Sequence, residues 1–219
     1  MYRHIFLDFD GVIVDSTKLK HDTFISLVED EKKGMDSILD NLLKNKLIGA
    51  ERNIICKWII ENTDSDKSIE KLTYKFAKKI DRKILELNLT EGFKEFINSI
   101  KNKNYTNLSI ISNAPMNDII SYLNFFSISN EFTYIVGFEE GISKADRIFR
   151  IMNKIILSSD ECLFIGDTPS DFLAAKKCNI SFIRIESFLG NNCLWDEKIL
   201  TCKNFFEIIN LIERRKINL

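Results

Sequence analysis

The chain has 219 residues, 45% hydrophobic and 29% charged, with a formal net charge of −1. That length suits one compact domain, or a core with a smaller insertion, and the near-neutral balance gives no field for nucleic acid or an acidic membrane. No signal-peptide pattern precedes the first apolar residues, no apolar run approaches the roughly 18 residues of a membrane span, and the five scattered cysteines form no C-x-x-C pair, which argues against a thiolate zinc site and for reduced thiols in the cytoplasm.

Residues 4–9 open the chain as a strand. Residues 16–89 then contain no strand and divide into helices at about 18–30, 35–47, 51–61 and 67–87. In the last of these, Leu72, Phe76, Ile80, Ile84 and Leu87 recur at spacings of three and four, so one face is apolar. After this block, apolar runs at 108–111, 132–136, 162–165 and 182–185 alternate with helical segments at 118–126, 145–156 and 172–178. The strands are continuously apolar rather than alternating, as strands covered on both faces should be. The order predicts βαβ units and a parallel sheet. Residues 1–15 and 90–219 are expected to form this α/β core, with 16–89 a helical second domain inserted after the first strand.

The first strand ends in Asp8-Phe9-Asp10-Gly11-Val12. Alternate residues of an extended chain share a face, so two carboxylates can approach one point. There they could seat a hard cation and provide a nucleophile and a proton shuttle. The alternative is a solvated strand end before a glycine turn. The fourth strand ends in Gly166-Asp167-Thr168-Pro169-Ser170-Asp171. Thr168 and Pro169 suit a helix N-terminus, where both acids could merely complement the dipole. Asp167, however, falls where open α/β sheets bind ligands. Ser112-Asn113 closes the second strand and could hold phosphoryl oxygens, or simply make a turn. Lys144 begins a helix behind a Ser143/Asp146 capping box. A lysine there opposes the helix dipole; it is either a ligand group or a solvated surface charge.

Acid pair, Ser-Asn, lone lysine and second acid pair, in that order at element ends, resemble the haloacid dehalogenase-like hydrolase superfamily, in its branch with a helical cap after the first strand. The resemblance covers nearly the whole chain. It implies a Rossmann-like five-stranded parallel sheet in the order 5-4-1-2-3, which brings the first and fourth strands together at a topological switch point. It further implies a magnesium-dependent phosphatase acting on a small phosphomonoester. Asp8 would attack phosphorus, and Asp10 would serve as acid and then base. Ser112, Lys144 and Asn113 would hold the transferring oxygens. Mg2+ would be held by the Asp8 carboxylate, the Asp10 main-chain carbonyl and the Asp167 carboxylate, with Asp171 acting through water. Lys18, Lys20 and His21, at the start of the cap, are candidates for contacting the leaving group.

Sugar phosphomutases of the family share these acids. They usually carry Glu-Asp where this chain has Gly166-Asp167, and a histidine within the stretch that here reads Lys18-Leu19-Lys20-His21. A catalytically silent binding protein is the alternative of another class, against which the intact Asp8, Asp10, Lys144 and Asp167 argue. A nucleic-acid module is excluded by charge and by the lack of an aromatic–basic stripe. Nothing in the residues specifies an oligomeric state.

Overall fold

The computed structural model describes residues 2–32, 34–63, 65–101 and 106–217. Strand β1 (His4–Leu7) is central, flanked by β2 (Asn107–Ile111) and β4 (Cys162–Gly166). Beyond these lie β3 (Tyr134–Val136) on one side and β5 (Ser181–Ile185) on the other. Every pairing is parallel, and Leu7 is level with both Ile110 and Ile165. The sheet order is β3-β2-β1-β4-β5-β6, so the five expected strands fall in the expected order. The sixth, β6 (Thr201–Cys202), was not anticipated: two residues are too short to carry a periodic signal.

The alternation of strand side chains divides the core in two. Ile5 and Leu7 face a cluster with Phe93 and Phe96 of α5 (Phe93–Lys101), Tyr122 of α6 (Met116–Phe125) and Phe205 of α9 (Phe205–Ile217). Phe6 and Phe164 face the other way. They meet Ile148 and Ile151 of α7 (Lys144–Lys154) and Ala174 and Ala175 of α8 (Pro169–Lys177). Burying each aromatic ring contributes up to about 3 kcal/mol. The sheet is therefore covered on both faces, and its C-terminal edge is left to carry a site.

Between β1 and α5 come α1 (Thr17–Glu31), α2 (Asp36–Asn45), α3 (Arg52–Thr63) and α4 (Ile69–Leu85). They have a hydrophobic core of their own, with Leu27, Leu39, Ile59 and Leu72, and with Phe24 stacked on Phe76 at 4.2 Å. Helix α4 starts cleanly because the Ser68 side chain accepts from the Lys71 N–H. Lys75 and Lys79 pair with Asp30, and Lys67 with Glu31, tying the start and middle of α4 to the end of α1. The chain leaves and rejoins the α/β core side by side, through a bridge between Val14 and Leu89. Among the described residues no helix is long and apolar enough to cross a membrane.

Candidate active site

Beyond Leu7 the β1 strand has one more backbone bond, from Asp8 N–H to Ile165 O at 3.0 Å. It then turns tightly, with Ile13 and Val14 N–H both reaching back to Phe9 O. Gly11 enters the turn at φ +76°, and a Cβ there would collide with the Asp167 carboxylate. Glycine at 11 is thus required both by the backbone and by the acid behind it. The turn leaves Asp8 6% exposed, with Oδ2 3.0 Å from Lys144 Nζ and Oδ1 without a hydrogen-bond partner. Asp10 accepts from Ser16 Oγ and from Lys20 Nζ, each at 2.5 Å.

Asp167 follows β4 directly and is fully buried, with neither carboxylate oxygen hydrogen-bonded. Asp171 is equally buried but fully engaged. Its Oδ1 accepts from Lys144 at 2.6 Å, and its Oδ2 from the Thr168 N–H at 3.0 Å and hydroxyl at 2.7 Å. This is the capping box of α8, with Pro169 in its first turn. Carboxylate oxygens of Asp8, Asp167 and Asp171 lie within 4.8 Å of one another. Of the three carboxylates in this cluster, Asp171 is the one whose oxygens are both already engaged.

Lys144 heads α7, where the Ser143 and Asp146 side chains complete the anticipated capping box. Its unfavourable place at a positive helix end is offset by two carboxylates. Burial alone would lower its pKa, but Asp171 and Asp8 outweigh that and raise it above the ordinary lysine value. Asp8 is pushed up to about 6, chiefly by burial, with Lys144 pulling it down and Asp171 and Asp10 adding to the rise. Asp167 is raised well above the usual carboxylate range by burial, then by Asp171 and Asp8. The nearby Ser187 hydroxyl, and after it Lys144, offset part of this rise. Three buried acids around one lysine are electrostatically incomplete. Unpartnered hard oxygens on Asp8 and Asp167 fit a divalent cation such as Mg2+.

Ser112, 1% exposed, follows β2, and its hydroxyl accepts from the Ala114 N–H at 3.2 Å. Asn113 donates from Nδ2 to Gly49 O at 3.1 Å and accepts at Oδ1 from Arg147 at 2.6 Å. Gly49 has φ +67°, and a Cβ on it would press on the Ser170 hydroxyl, so the linker between α2 and α3 sits against the β4 loop. A cavity of about 110 Å³ opens between the strand ends and the helical block. Asp8, Asp10, Ser112, Asn113, Lys144 and Asp167 form its floor; Asp171 lies behind it. Its wall includes Lys20, His21, Gly49 and Arg52.

Of the three residues expected at the start of the helical block, Lys20 and His21 line the cavity, and Lys18 does not. Lys18 is 64% exposed and pairs with Asp22. His21 is buried, with Nε2 2.9 Å from Asp40 Oδ1. Two residues were missed by sequence reasoning. Arg52 reaches the cavity from α3, packs over the Phe76 ring and donates to Asp118 at 2.9 Å. Arg147 sits behind Ser112 and Asn113. Neither has a local signal, since an arginine on an amphipathic helix normally reads as solvated surface.

The predicted phosphoglycolate phosphatase of Haemophilus somnus 129PT superimposes with a TM-score of 0.75 at 18% identity, covering 96% of this chain and 98% of that one. CbbY from Rhodobacter sphaeroides, solved with phosphate, gives 0.78 at 12% identity, covering 95% and 96%. A provisionally named beta-phosphoglucomutase from Thermotoga maritima gives 0.70 at 16%, covering 98% and 99%. At these identities the likeness establishes the fold. No curated protein matches the sequence significantly. The family model for haloacid dehalogenase-like hydrolases matches residues 5–185, and the chain belongs to that family of hydrolases.

Proposed function

We propose that the protein is a magnesium-dependent phosphatase of small phosphomonoesters, acting in the cytoplasm through an aspartyl-phosphate on Asp8. The observation that carries this reading is the unpartnered Asp8 Oδ1 on the cavity floor, with Asp10 and Lys144 beside it. Asp8 Oδ1 forms a bond to phosphorus as the ester oxygen leaves, and Asp10 gives that oxygen its proton. Asp10 then takes a proton from the water that cleaves the acyl-phosphate, which frees inorganic phosphate and restores both acids. Ser16 and Lys20 hold the Asp10 carboxylate at the wall for this exchange. Lys144 and the Ser112 hydroxyl face the charge spread over the phosphoryl oxygens, where fixed electrostatics supply most of the acceleration. Asp171, through Oδ1, orients Lys144. Asp8 and Asp167 would hold Mg2+ with the Asp10 carbonyl. When bound, the ion neutralises the facing acids and the phosphoryl charge.

The helical block, residues 16–89, acts as the cap over this floor. The cavity is small and its wall carries Lys20, His21 and Arg52, which suits a compact anionic ester such as a sugar phosphate. The phosphate in the CbbY complex is consistent with that class of ligand. The test is a panel of phosphomonoesters, beginning with p-nitrophenyl phosphate, with magnesium or with EDTA. Release of inorganic phosphate that requires magnesium supports the reading. Full activity in excess EDTA refutes the metal's part, transfer to a second sugar hydroxyl instead of water makes the enzyme a mutase, and inertness towards every ester returns it to a binding role.

A further inference from the structure

Arg147 is 1% exposed, among the largest fully buried side chains, and no role above uses it. It follows Lys144 by three residues on α7, so the two share a helix face. All its hydrogen bonds go to neutral acceptors. Nη1 donates to Ser112 O and Gly137 O, each at 2.5 Å, Nη2 to Asn113 Oδ1 at 2.6 Å, and Nε to Ser143 O at 3.4 Å. The acids that influence it, Asp8, Glu139 and Glu51, do so without a hydrogen bond. Burying a cation with no paired carboxylate is costly, and a well-packed apolar side chain would often be as stable or more so. Stability alone is therefore a poor account of an arginine here.

Its geometry supplies another account. The ladder between β2 and β3 ends with Ser112 N–H bonded to Val136 O. The next carbonyls, Ser112 and Gly137, have no strand partner, and the single Nη1 bridges both. The guanidinium thus continues the ladder past its end, where the phosphate-facing residues begin. It also fixes the Asn113 amide. A guanidinium only donates, so it selects Oδ1; Gly49 O only accepts, so it selects Nδ2. With both neighbours of single polarity, Asn113 has one orientation, and that orientation reaches the cap.

We propose that Arg147 is a positioning residue of this active site: it clamps the ends of β2 and β3 and sets Asn113 so that Ser112 meets the phosphoryl group and Asn113 meets the closed cap. The proposal rests on the phosphatase reading above. The test uses the full chain with magnesium and p-nitrophenyl phosphate, comparing Arg147→Met, Asn113→Ala, the double variant and Arg147→Lys. Turnover, inhibition by inorganic phosphate and melting temperature are measured for each.

In folded Arg147→Met, kcat/KM should fall about 30-fold and phosphate inhibition weaken about tenfold, within the hundredfold a misplaced group can cost. Asn113→Ala should cost about tenfold alone but under about twofold when added to Arg147→Met, the non-additivity of residues that act through each other. Losses that multiply fully, or phosphate inhibition that does not move, overturn the proposal. If Arg147→Met does not fold, Arg147→Lys decides, because it keeps the charge but loses the fork. A loss of about tenfold supports the clamp, and near-wild-type kcat/KM overturns it. If the wild type hydrolyses no phosphomonoester, the phosphatase reading alone fails. Amide exchange at residues 47–52 then judges the clamp: faster exchange in Arg147→Lys and Asn113→Ala supports it, and unchanged exchange in both overturns it.

Discussion

The floor and the wall of the cavity are built on opposite principles. On the floor and just behind it, Asp8, Lys144, Asp167 and Asp171 are nearly or wholly buried, and three carboxylate oxygens among them lack any partner. On the wall, Lys20 and Arg52 already have acids, Asp10 and Asp118, and the His21 ring lies against Asp40. The floor is held by strand ends and helix caps and is electrostatically unfinished, which suits the added cation and anionic group of the proposed function. The wall is complete without ligand, and its long side chains can trade one acid for another. On the proposed reading the difference amounts to a division of labour: the core would set the reaction, and the helical block would set which ester enters.

The strongest way to break this comparison is Asp8→Asn. An amide keeps the shape but removes the nucleophile, so turnover should disappear while the melting temperature holds or rises, since a buried charge is lost. Activity near wild type, measured on purified variant, would remove Asp8 from the centre of the floor. Next comes Lys144→Ala. It strips the only cation within ion-pair distance of Asp8 and Asp171 among the described residues, and kcat should fall about a hundredfold or more, roughly 3 kcal/mol. Lys198→Ala is the control, in a segment without site contacts. Equal, small losses in both would make Lys144 a structural counter-ion only.

The unfinished floor also predicts how metal and protons compete. Asp8 and Asp167 have folded-state pKa values above their unfolded ones. Between the ordinary carboxylate value and about 6, the value for Asp8, these two acids therefore hold more protons in the folded protein than in the unfolded chain, while buried His4, lowered to about 4, holds fewer. The contribution of Asp8 to the stability of the metal-free protein should fall as pH rises through that window and be lost above it, with Asp167 adding a loss at higher pH. Magnesium must displace those protons, so its stabilisation should be small at pH 5 and full at pH 7.5. At a hundredfold excess over its dissociation constant the rise in melting temperature should be about 5–10 °C. Thermal melts at the two pH values check this; an equal or larger shift at pH 5 would mean that the cation sits elsewhere.

Much of the floor was legible because its signals are local. Continuous apolar runs mark strands buried on both faces, and Asp8, Asp10, Ser112, Lys144 and Asp167 each fall at an element end. The wall was less legible. Arg52 reaches the cavity only because α3 packs against α1 and α4, and no short-range pattern separates it from a solvated arginine. Arg147 shares that ambiguity, sitting where Lys144 draws attention first. Helices α5 and α9 went unread although Phe93, Phe96 and Phe205 pack together. Their apolar stripes are short and lie beside strands already assigned. Lys18 was chosen for its closeness to the acids along the chain, which on a helix is a poor guide to closeness in space.

That last point gives the finest test of floor against wall. Lys18 and Lys20 are two residues apart, and residues at that spacing on a helix do not share a face. Lys20 Nζ contacts Asp10, and its side chain is only 16% exposed. Lys18 turns to Asp22 and lies 5.6 Å from the Phe188 ring. Lys20→Ala should leave the fold intact but free the Asp10 carboxylate and remove a cation from the wall. We expect a loss of about tenfold in kcat/KM, larger for compact sugar phosphates than for p-nitrophenyl phosphate, whose flat leaving group offers the wall less to hold. Arg52→Ala should show the same substrate dependence, with a further stability cost from its lost packing on Phe76. Lys18→Ala should change neither constant by more than about twofold, since exposed i,i+4 pairs contribute little. Specificity constants for three or four esters across these variants are sufficient. A uniform loss on all esters would confine Lys20 to its hold on Asp10 and remove it from the selection of the ester. An effect of Lys18 as large as that of Lys20 would mean that the wall extends beyond the cavity described.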